Sequence, residues 1–540
     1  MPTFETRLTP EMIDEYTSSG DWGTKTFYQH FAARAAAHPD REVFYDRGRR
    51  MTYGELRDAV DRVAAKLQSL GLGRGDVVTI QLPNWIEFAC AFFAVERIGA
   101  IANKINPDFR SAEVDYILRF SESSAYICPE TFKEFDYLDM IAGLRAKLPD
   151  LKHVCVVEGA GRDDVIPLAG VIDGDEAGGV LDPVENGPNE LYRMAFTSGT
   201  TGNPKAVLHT HNTTLPTSIY KNEDLSITED DVILIYLPLG LNWGYLALLQ
   251  VILAGCRAVL LDRFRAETAL QLIQDEGVTF IPTAPASVIA MLNEPDLGKY
   301  DLSSLRIVMT GGASCPLETI RDFQAKIKCL FTELYGMLET GFHTYTRPGE
   351  DPELVSGTCG LAQKSLGVRL IDEHGNDVPD GEEGEVAAKG PTVHLGYAKN
   401  PTANAELFTD DGWFRTGDMG AFDKRGNLKI VGRNKEMINR GGKKFHPREI
   451  EEILYTHPKV FHAAIIGITD HRLGERNCLC LIPKPGEDPG LEEFVELLKD
   501  QVATYKLPET LEIFDEFPFT PTGKIQRHAL ARMIQERHAG

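Results

Sequence analysis

Short β-branched runs alternate with helical stretches along the first third of the chain. Thr52 and Glu55 form a capping-box pattern that opens a helix predicted over 53–70. The run Val77–Ile80 is typical of a strand, and an apolar helix is predicted over 85–98 before a further strand. Strands that alternate with helices in this way pair in parallel, so the pattern predicts an α/β fold with a mostly parallel sheet covered by helices.

The same alternation resumes in the middle of the chain and indicates a second unit of this kind. Strands are predicted over 232–237, 257–261, 278–282 and 305–310, and helices over 245–254 and 266–275. The apolar stretch 232–261 is long enough to cross a bilayer, but prolines, glycines and polar residues interrupt it. A span needs about 20 consecutive apolar residues, so we expect a buried core segment and no transmembrane helix.

The composition and the hydrophobic pattern of the sequence change over 357–430. Glycines are frequent there and short runs alternate between apolar and polar residues, which favours a small antiparallel, barrel-like unit. The polar segment Arg433-Asn434-Lys435-Glu436 follows. We therefore predict a large N-terminal domain over 1–432, built from two parallel-sheet α/β subdomains and the barrel-like unit, and a smaller α+β domain over 433–540.

Charge argues against two classes of partner. The 540 residues carry a formal net charge of −24, so general binding to nucleic acid or to an anionic membrane is not expected. One segment differs, because six basic residues between Arg433 and Arg448 accompany a single acid, Glu436. This basic cluster is a candidate anion site, and a solvated basic face is the alternative.

The cysteine pattern and the start of the chain favour a cytoplasmic location. The nine cysteines are scattered and odd in number. Cys478 and Cys480 share one side of a predicted strand rather than forming a metal clip, so reduced thiols are the simplest interpretation. The chain begins Met-Pro-Thr-Phe-Glu, without a basic end followed by an apolar core, and we expect no secretory signal.

The stretch from Thr197 to Lys205 carries the first chemical signal. Glycines let bare N–H groups approach a ligand, and hydroxyls with a lysine add donors and positive charge, which suits a polyphosphate. The spacing differs from that of a Walker loop, and a plain surface loop is the alternative. The candidate binding residues are Thr197, Ser198, Gly199, Thr200, Thr201, Gly202 and Lys205.

Six further motifs follow at separated positions. They are Tyr335-Gly336-Met337-Leu338-Glu339, Gly390-Pro391 with Gly396-Tyr397, Thr416-Gly417-Asp418, Gly432-Arg433-Asn434-Lys435-Glu436, Gly441-Gly442-Lys443 with Pro447-Arg448-Glu449, and Pro521-Thr522-Gly523-Lys524-Ile525. With the loop at 197–205 they resemble, over about residues 20–535, the adenylate-forming superfamily of acyl-CoA synthetases, peptide-synthetase adenylation domains and firefly luciferase. One such motif is weak, but this many in order exclude coincidence.

The resemblance implies a two-step reaction. A carboxylate is a poor electrophile, and its attack on the α-phosphorus of ATP gives an acyl-AMP anhydride while pyrophosphate departs. A thiolate then attacks acyl-AMP, and AMP leaves with formation of a thioester. The expected cofactors are ATP, Mg²⁺ and CoA, and the expected partner is a small carboxylic acid.

The resemblance also implies roles for the motif residues. The loop at 197–205 would hold the β- and γ-phosphates, Glu339 would bind Mg²⁺, and Lys524 would reach the carboxylate and α-phosphate oxygens. Tyr335 would stack on adenine, and Asp418 would accept hydrogen bonds from the ribose hydroxyls. The full set expected around AMP, apart from the loop, is Gly311, Gly312, Ala313, Tyr335, Gly336, Asp418 and Arg433.

One small domain cannot supply Lys524 for the first step and also free the same space for a thiol. Relatives rotate the C-terminal domain about a hinge at the position of Lys435, so a mobile domain is implied here. Gly441 and Gly442 would then border the pantetheine path. Together with Glu339, the lysines Lys524 and Lys435 are the expected catalytic residues.

Two departures from the superfamily pattern bear on activity and substrate. Leu338 stands where a Thr or Ser hydroxyl usually contacts the α-phosphate, and aryl-acid-activating members also lack this hydroxyl. The run Leu241-Asn242-Trp243 stands where relatives line the acyl pocket. An asparagine at the position of Asn242 contacts a ring hydroxyl in dihydroxybenzoate-activating enzymes, so Asn242 and Trp243 are the expected acid-binding residues.

Three functions are consistent with these motifs. The first is an AMP-forming carboxylate–CoA ligase for an aromatic, alicyclic or medium-chain acid. The second is a stand-alone aryl-acid adenylating enzyme that loads a carrier protein. The third is a non-catalytic acyl-nucleotide-binding protein, for which Leu338 is the only support. The sequence leaves the acid, the thiol acceptor and a homodimeric state open.

Overall fold

The computed structural model of the protein describes residues 4–159, 162–182, 184–197, 204–433, 436–470, 472–519 and 525–539, without the side chains of residues 538 and 539. The helices are α1 (Pro10–Ser18), α2 (Phe27–Ala37), α3 (Tyr53–Ser69), α4 (Ile86–Arg97), α5 (Ser111–Ser121), α6 (Tyr137–Leu144), α7 (Ala169–Asp173), α8 (Leu215–Asp224), α9 (Asn242–Ala254), α10 (Ala266–Glu276), α11 (Pro285–Leu292), α12 (Leu317–Ile327), α13 (Pro352–Gly357), α14 (Pro401–Glu406), α15 (Pro447–Leu454), α16 (Leu491–Leu498) and α17 (Arg527–Ala539).

The strands are numbered separately in chain order. They are β1 (Glu42–Asp46), β2 (Arg49–Thr52), β3 (Val77–Ile80), β4 (Ile101–Lys104), β5 (Ala125–Cys128), β6 (Thr131–Phe132), β7 (Phe135–Asp136), β8 (His153–Val156), β9 (Ile166–Pro167), β10 (Leu191–Phe196), β11 (Ala206–Thr210), β12 (Val232–Ile235), β13 (Arg257–Leu260), β14 (Phe280–Thr283), β15 (Ile307–Gly311), β16 (Leu330–Met337), β17 (Gly341–Tyr345), β18 (Leu361–Ala362), β19 (Gly367–Ile371), β20 (Gly384–Lys389), β21 (Phe414–Phe422), β22 (Leu428–Arg433), β23 (Ile438–Arg440), β24 (Lys443–Phe445), β25 (Val460–Asp470), β26 (Gly474–Pro483) and β27 (Thr510–Ile513).

Two large, mostly parallel sheets confirm the predicted α/β architecture. One has the strand order β11-β10-β4-β3-β5-β8-β9, and the other has the order β18-β17-β16-β15-β14-β12-β13-β1-β2. Antiparallel pairing is confined to their ends, as in the pair of β10 with β11 and the pair of β16 with β17. The crossover helices cover the faces, because a parallel connection needs a long return segment.

A layer of apolar helices joins the two sheets. Helix α4 packs on β3 and β4, α9 packs on β12 and β13, and α2 contacts both helices. The predicted capping box opens α3, since the Thr52 hydroxyl accepts from the Glu55 N–H and the Glu55 carboxylate accepts from the Thr52 N–H. Buried side chains of α2, α4 and α9 belong to one continuous core, and α4 and α9 are buried on nearly all sides, as is typical of helices that are apolar all round.

The small antiparallel unit is present but is not a closed barrel. Its strands have the order β19-β20-β21-β22, and all three pairings are antiparallel. In the ranges that the structure describes, β19 and β22 have no pairing with each other that would close the sheet. The alternating runs therefore identified the strand type correctly, whereas closure depends on strand number and tilt that the pattern does not contain.

The last hundred residues build their own sheet. After β22 the chain leaves the four-stranded sheet, and at Ile438 it enters a five-stranded sheet with the order β24-β23-β26-β25, in which β27 pairs with β26. Cys478 and Cys480 are buried in β26 and pack in the same apolar cluster, as their spacing predicts.

The apolar stretch 232–261 is a core segment, as expected. It forms β12, the buried helix α9 and β13. None of the helices in the described ranges combines the length and the hydropathy that a membrane crossing requires.

Candidate active site

A cavity of about 360 Å³ lies where the nine-stranded sheet, the four-stranded sheet and the C-terminal region meet. It brings together predicted residues from four separated motifs. These are Gly311, Gly312, Ala313, Tyr335, Gly336, Asp418 and Arg433. The C-terminal region contributes the face of α15 and residues before α17, so the cavity has walls from both sides of the predicted boundary.

Tyr335, Asp418 and Arg433 form a hydrogen-bonded row in this cavity. The Tyr335 hydroxyl donates to Asp418 Oδ2 at 2.6 Å, and Arg433 Nε lies 2.8 Å from Asp418 Oδ1. Asp418 and Arg433 face each other in the register of β21 and β22. Burial and the Asp418 carboxylate raise the pKa of Tyr335 well above its ordinary value, so its hydroxyl stays protonated.

The glycines beside the row are explained by backbone packing. A Cβ on Gly311 would lie 2.8 Å from the Leu334 side chain, because β15 and β16 are adjacent strands. Gly312 has a φ of +82°, in the left-handed region that favours glycine. The strand β15 therefore ends in a bare backbone edge that lines the cavity.

Glu333 is a cavity residue that the sequence did not reveal. It lies in β16, is buried, and accepts a hydrogen bond from the Thr310 hydroxyl. Burial raises its pKa to about 8, opposed by the Thr310 hydrogen bond and by the charge of Arg448. An acid in a predominantly apolar strand, two positions before Tyr335, was the available signal.

The C-terminal region touches the cavity rim at two close contacts. The Arg448 guanidinium donates a hydrogen bond to the Ser314 hydroxyl, directly after Gly311-Gly312-Ala313. A Cβ on Gly432 would lie 2.3 Å from His446 Nδ1. The glycine in β22 therefore permits the close approach of the segment that leads into α15.

The described ends of the hydroxyl- and glycine-rich loop are joined by hydrogen bonds. The Thr197 N–H donates to the Lys205 carbonyl at 2.9 Å, and the Lys205 N–H donates to the Thr197 hydroxyl at 3.1 Å. These residues follow β10 and precede β11, which pair antiparallel. Ser198, Gly199, Thr200, Thr201 and Gly202 lie outside the described residues.

Glu339 lies near this loop and is 7% exposed. Its Oε1 accepts a hydrogen bond of 2.9 Å from the Tyr397 hydroxyl, and the Lys205 ammonium lies 4.8 Å from the centre of the Tyr397 ring. Burial raises the pKa of Glu339, while the Tyr397 hydrogen bond and the charges of Arg433 and Lys205 oppose this shift. Glu339 is thus within electrostatic reach of both Lys205 and Arg433.

Leu338 and Asn242 lie on the side of this region that faces the core. The Leu338 carbonyl is 2.8 Å from His209 Nε2, and its side chain packs against an apolar cluster that includes Tyr397. Asn242 opens α9, its Nδ2 donates to the Met337 carbonyl at 3.2 Å, and its Oδ1 accepts from Arg193 at 3.1 Å. Trp243 follows and is partly exposed.

Several predicted residues are not at the cavity or fall outside the description. Gly441 and Gly442 form the exposed turn between β23 and β24, with φ values of +61° and +84°, and they do not line the cavity. Lys435 and Lys524 lie outside the described residues. The described residues that flank 520–524, Phe519 and Ile525, both line the cavity.

Two relatives match this chain along nearly its whole length. It is 32% identical over 528 residues to a medium-chain fatty-acid–CoA ligase of Escherichia coli (strain K12), covering 97% of this chain and 93% of that protein. It is 33% identical over 531 residues to the 2,3-dihydroxybenzoate-AMP ligase of Bacillus subtilis (strain 168), covering 98% and 97%.

A solved structure and two family models agree with these relatives. The fold matches an anthranilate CoA ligase in complex with anthranoyl-AMP with a TM-score of 0.86 at 25% identity, covering 96% of this chain and 98% of that one. The model of the C-terminal domain of AMP-binding enzymes matches residues 449–524. The model of the AMP-binding enzymes matches residues 31–398, and the chain belongs to this family.

Proposed function

We propose that the protein is an acid–thiol ligase that converts a carboxylic acid, through acyl-AMP, into an acyl-CoA thioester with release of AMP and pyrophosphate. The observation that carries this proposal is the convergence of Gly312, Tyr335, Asp418 and Arg433 on one cavity. Their backbone edge, aromatic ring, carboxylate and guanidinium suit the adenine, ribose and phosphate parts of a nucleotide. Relatives named as CoA ligases and as an AMP ligase support the reaction class.

In the first step a carboxylate oxygen attacks the α-phosphorus, and the bond to pyrophosphate breaks. This step needs alignment and neutralisation of charge more than a protein base. Lys205 and the loop that begins at Thr197 would hold the leaving phosphates. Lys524 would neutralise charge on the α-phosphate, and its described neighbours Phe519 and Ile525 on the cavity wall support this role.

Mg²⁺ fits the residues present as a partner of the phosphates. Among the described residues, no group of three or more His, Cys, Asp or Glu side chains could hold a metal ion. Mg²⁺ at phosphates is commonly bound through one or two carboxylates, and the buried carboxylate of Glu339 supplies one. The ion would neutralise phosphate charge, and Glu339 would orient it.

In the second step the thiol attacks the acyl carbon and AMP leaves. Gly441 and Gly442 are exposed on the C-terminal region, and we propose that this region rotates about a hinge near Lys435 to bring them to the thiol path. The change of sheet between Arg433 and Ile438 supports a boundary at 432–433. The hydrogen bond from Arg448 to Ser314 and the close approach of His446 to Gly432 would belong to the arrangement that forms acyl-AMP.

The acid would be aromatic, alicyclic or medium-chain, bound near Asn242 and Trp243. A panel of such acids with ATP, Mg²⁺ and CoA, followed by AMP release and by mass spectrometry of thioesters, tests the proposal. Formation of an acyl-CoA confirms a ligase. Absence of both acyl-AMP and thioester across the panel would refute it.

Loading of a carrier protein is the second candidate, favoured by the match to a 2,3-dihydroxybenzoate-AMP ligase. Acyl-AMP without thioester in the presence of CoA, and transfer to a phosphopantetheinylated carrier protein, would select it. The cytoplasmic location and a homodimer stay predictions, and light scattering of the purified protein tests the dimer.

A further inference from the structure

Two cations are buried side by side in the seven-stranded sheet. Arg193 in β10 and Lys104 in β4 each have a relative exposure of 1%. These strands are parallel neighbours, with Arg193 opposite Ala102. The guanidinium donates to Thr214 and Asn242, both neutral, and the Lys104 ammonium has no hydrogen-bond partner among the described residues.

Among the residues that the structure describes, carboxylates leave this pair without a counter-charge. In the described part of the chain, neither Arg193 nor Lys104 forms an ion pair with an acid. The residues outside that part include no Asp or Glu. Burial and the charge of Arg193 lower the pKa of the neighbouring His209 well below its ordinary value, so His209 adds no negative charge. Since a buried charge without a partner is costly, the pair requires an explanation other than stability.

The pair lies at the first turn of α9. The Lys104 ammonium is 4.7 Å and the Arg193 guanidinium carbon 5.0 Å from the centre of the Tyr245 ring. The residue before the helix, Leu241, provides no side-chain cap. A Cβ on Gly240 would lie 2.0 Å from the Ile105 carbonyl, so the loop after Lys104 abuts the start of the helix. A helix N-terminus adds partial positive charge to the two cations.

Asn242 connects this pair to the candidate active site. Its side chain bonds both to Arg193 and to the carbonyl of Met337, the last residue of β16. Tyr335, two residues earlier in β16, lines the nucleotide cavity. Asn242 is partly exposed while Arg193 is buried behind it. An acid bound beside Met337 would therefore contact Asn242 before it reached the buried cations.

The positive charge of Arg193 and Lys104 decides which chemical group of a substrate fits beside them. A ring hydroxyl would satisfy the Asn242 amide, but a neutral acceptor would leave two buried cations without a counter-charge. A carboxylate supplies negative charge and accepts several hydrogen bonds at once. A bidentate match to a guanidinium is the geometry that arginine prefers.

We infer that Arg193, Lys104 and Asn242 form an anionic subsite of the acid pocket, and that the preferred substrates are dicarboxylic acids whose second carboxylate binds there. This inference rests on the proposed function and narrows its substrate class. One carboxylate would react at the α-phosphate, and the other would neutralise the buried pair. Burial and Arg193 lower the pKa of Lys104, and a bound anion would oppose this shift.

Matched pairs of acids test the subsite in the full-length protein. Hexanoate is compared with adipate, and benzoate with isophthalate, by pyrophosphate release in the presence of ATP and Mg²⁺. We expect kcat/KM for each diacid to exceed that of its monoacid about tenfold or more, and Lys104→Met to lower this ratio at least about tenfold. Lys221→Met is the matched control, because Lys221 is also buried and its ammonium also has no partner among the described residues. It packs on Phe342 instead and should keep the ratio.

A thermal-shift measurement separates this inference from the proposed function. Adipate or isophthalate should raise the Tm of the wild type and of Lys221→Met, and should not raise that of Lys104→Met. A higher kcat/KM for the monoacids or for salicylate than for the diacids would overturn the subsite. So would a diacid-to-monoacid ratio in Lys104→Met that equals the wild-type ratio. If no acid supports pyrophosphate release, the proposed function fails, and the thermal shift with diacids still decides the subsite.

Discussion

The Tyr335 hydroxyl donates a 2.6 Å hydrogen bond to the Asp418 carboxylate across 83 residues of sequence. This bond joins β16 of the parallel sheet to β21 of the four-stranded sheet. Arg433 completes the row at the last residue of β22. At the meeting point of two sheets, a single buried carboxylate thus holds two partners on the wall of the cavity.

Asp418→Asn should raise the KM for ATP about 10- to 100-fold, because an amide keeps the shape but loses the charge that Arg433 pairs with. Pyrophosphate release at varied ATP measures the effect. Asp411→Asn is the control, since Asp411 is an exposed carboxylate whose partner is Arg369. A KM for ATP that stays at the wild-type value in Asp418→Asn would exclude Asp418 from nucleotide binding.

Lys524→Ala should lower the rate of acyl-AMP formation about 100- to 1,000-fold, because a cation at the α-phosphate acts on charge that develops in the transition state. Thioester formation from supplied acyl-AMP should remain largely intact. Lys499→Ala, at an exposed lysine paired with Glu496, controls for loss of charge in the same domain. Equal loss of both half-reactions would show that the assigned role is wrong.

Gly432→Ala should disturb the observed contact between β22 and the segment that leads into α15, because the new Cβ would lie 2.3 Å from His446 Nδ1. Overpacking of this size costs about 1–3 kcal/mol, and we expect acyl-AMP formation to fall about tenfold while thioester formation from acyl-AMP falls less. Gly143→Ala in α6 is the control, since a Cβ at Gly143 would have nothing within 4 Å. A uniform loss in both assays would point to general destabilisation.

Glu333→Gln should flatten the dependence of stability on pH. The folded pKa of about 8 exceeds the ordinary value of 4.5, so the stabilising contribution of the protonated form is complete below about pH 4.5 and is lost as pH rises through 8. Between pH 6 and 9 the wild type should lose about 2–3 kcal/mol more unfolding free energy than the variant. Denaturant unfolding at the two pH values measures this difference.

Glu96→Gln provides the comparison, because burial also raises the pKa of Glu96 to about 8. It should flatten the pH dependence of stability over the same interval without a change in the KM for ATP, since Glu96 does not line the cavity where we propose that the nucleotide binds. A wild-type pH slope in Glu333→Gln would contradict the assignment of a buried, protonated carboxyl.

Asn242→Leu should change the preference among acids more than the KM for ATP. The variant removes the amide that bonds Arg193 and the Met337 carbonyl, where we propose that the acid binds. Relative kcat/KM across the acid panel is the measurement, and the KM for ATP in the same assays is its internal control. An unchanged acid profile would remove Asn242 from the pocket.

Local patterns predicted the elements because they depend on neighbours in sequence. Alternating strand and helix signals gave the parallel sheets, and Thr52 with Glu55 marked the start of α3 within the residues that form its first turn. The helix predicted over 245–254 begins earlier, at Asn242. The helix start carries no capping side chain, so no local signal marked it.

Only some residues of the candidate site could be recognised from their neighbours in the sequence. The motifs around Tyr335, Asp418 and Arg433 were visible as sequence, whereas Glu333 was not, because a lone acid in a strand acquires meaning only when Thr310 and Arg448 approach it. The roles of the loop at 197–205 and of Lys524 stay predictions of the motifs.

The sequence by itself determined the family, the two-step chemistry that the motifs imply and the alternation that builds the sheets. In the part of the chain that the structure describes, tertiary structure decided that Tyr335, Asp418 and Arg433 line one cavity, that the four-stranded sheet stays open, and that no acid pairs with Arg193 or Lys104. The physical reason is the distance along the sequence over which each interaction acts. Propensity and turn chemistry act over a few residues, but burial and pairing of charges depend on side chains that only the folded chain brings together.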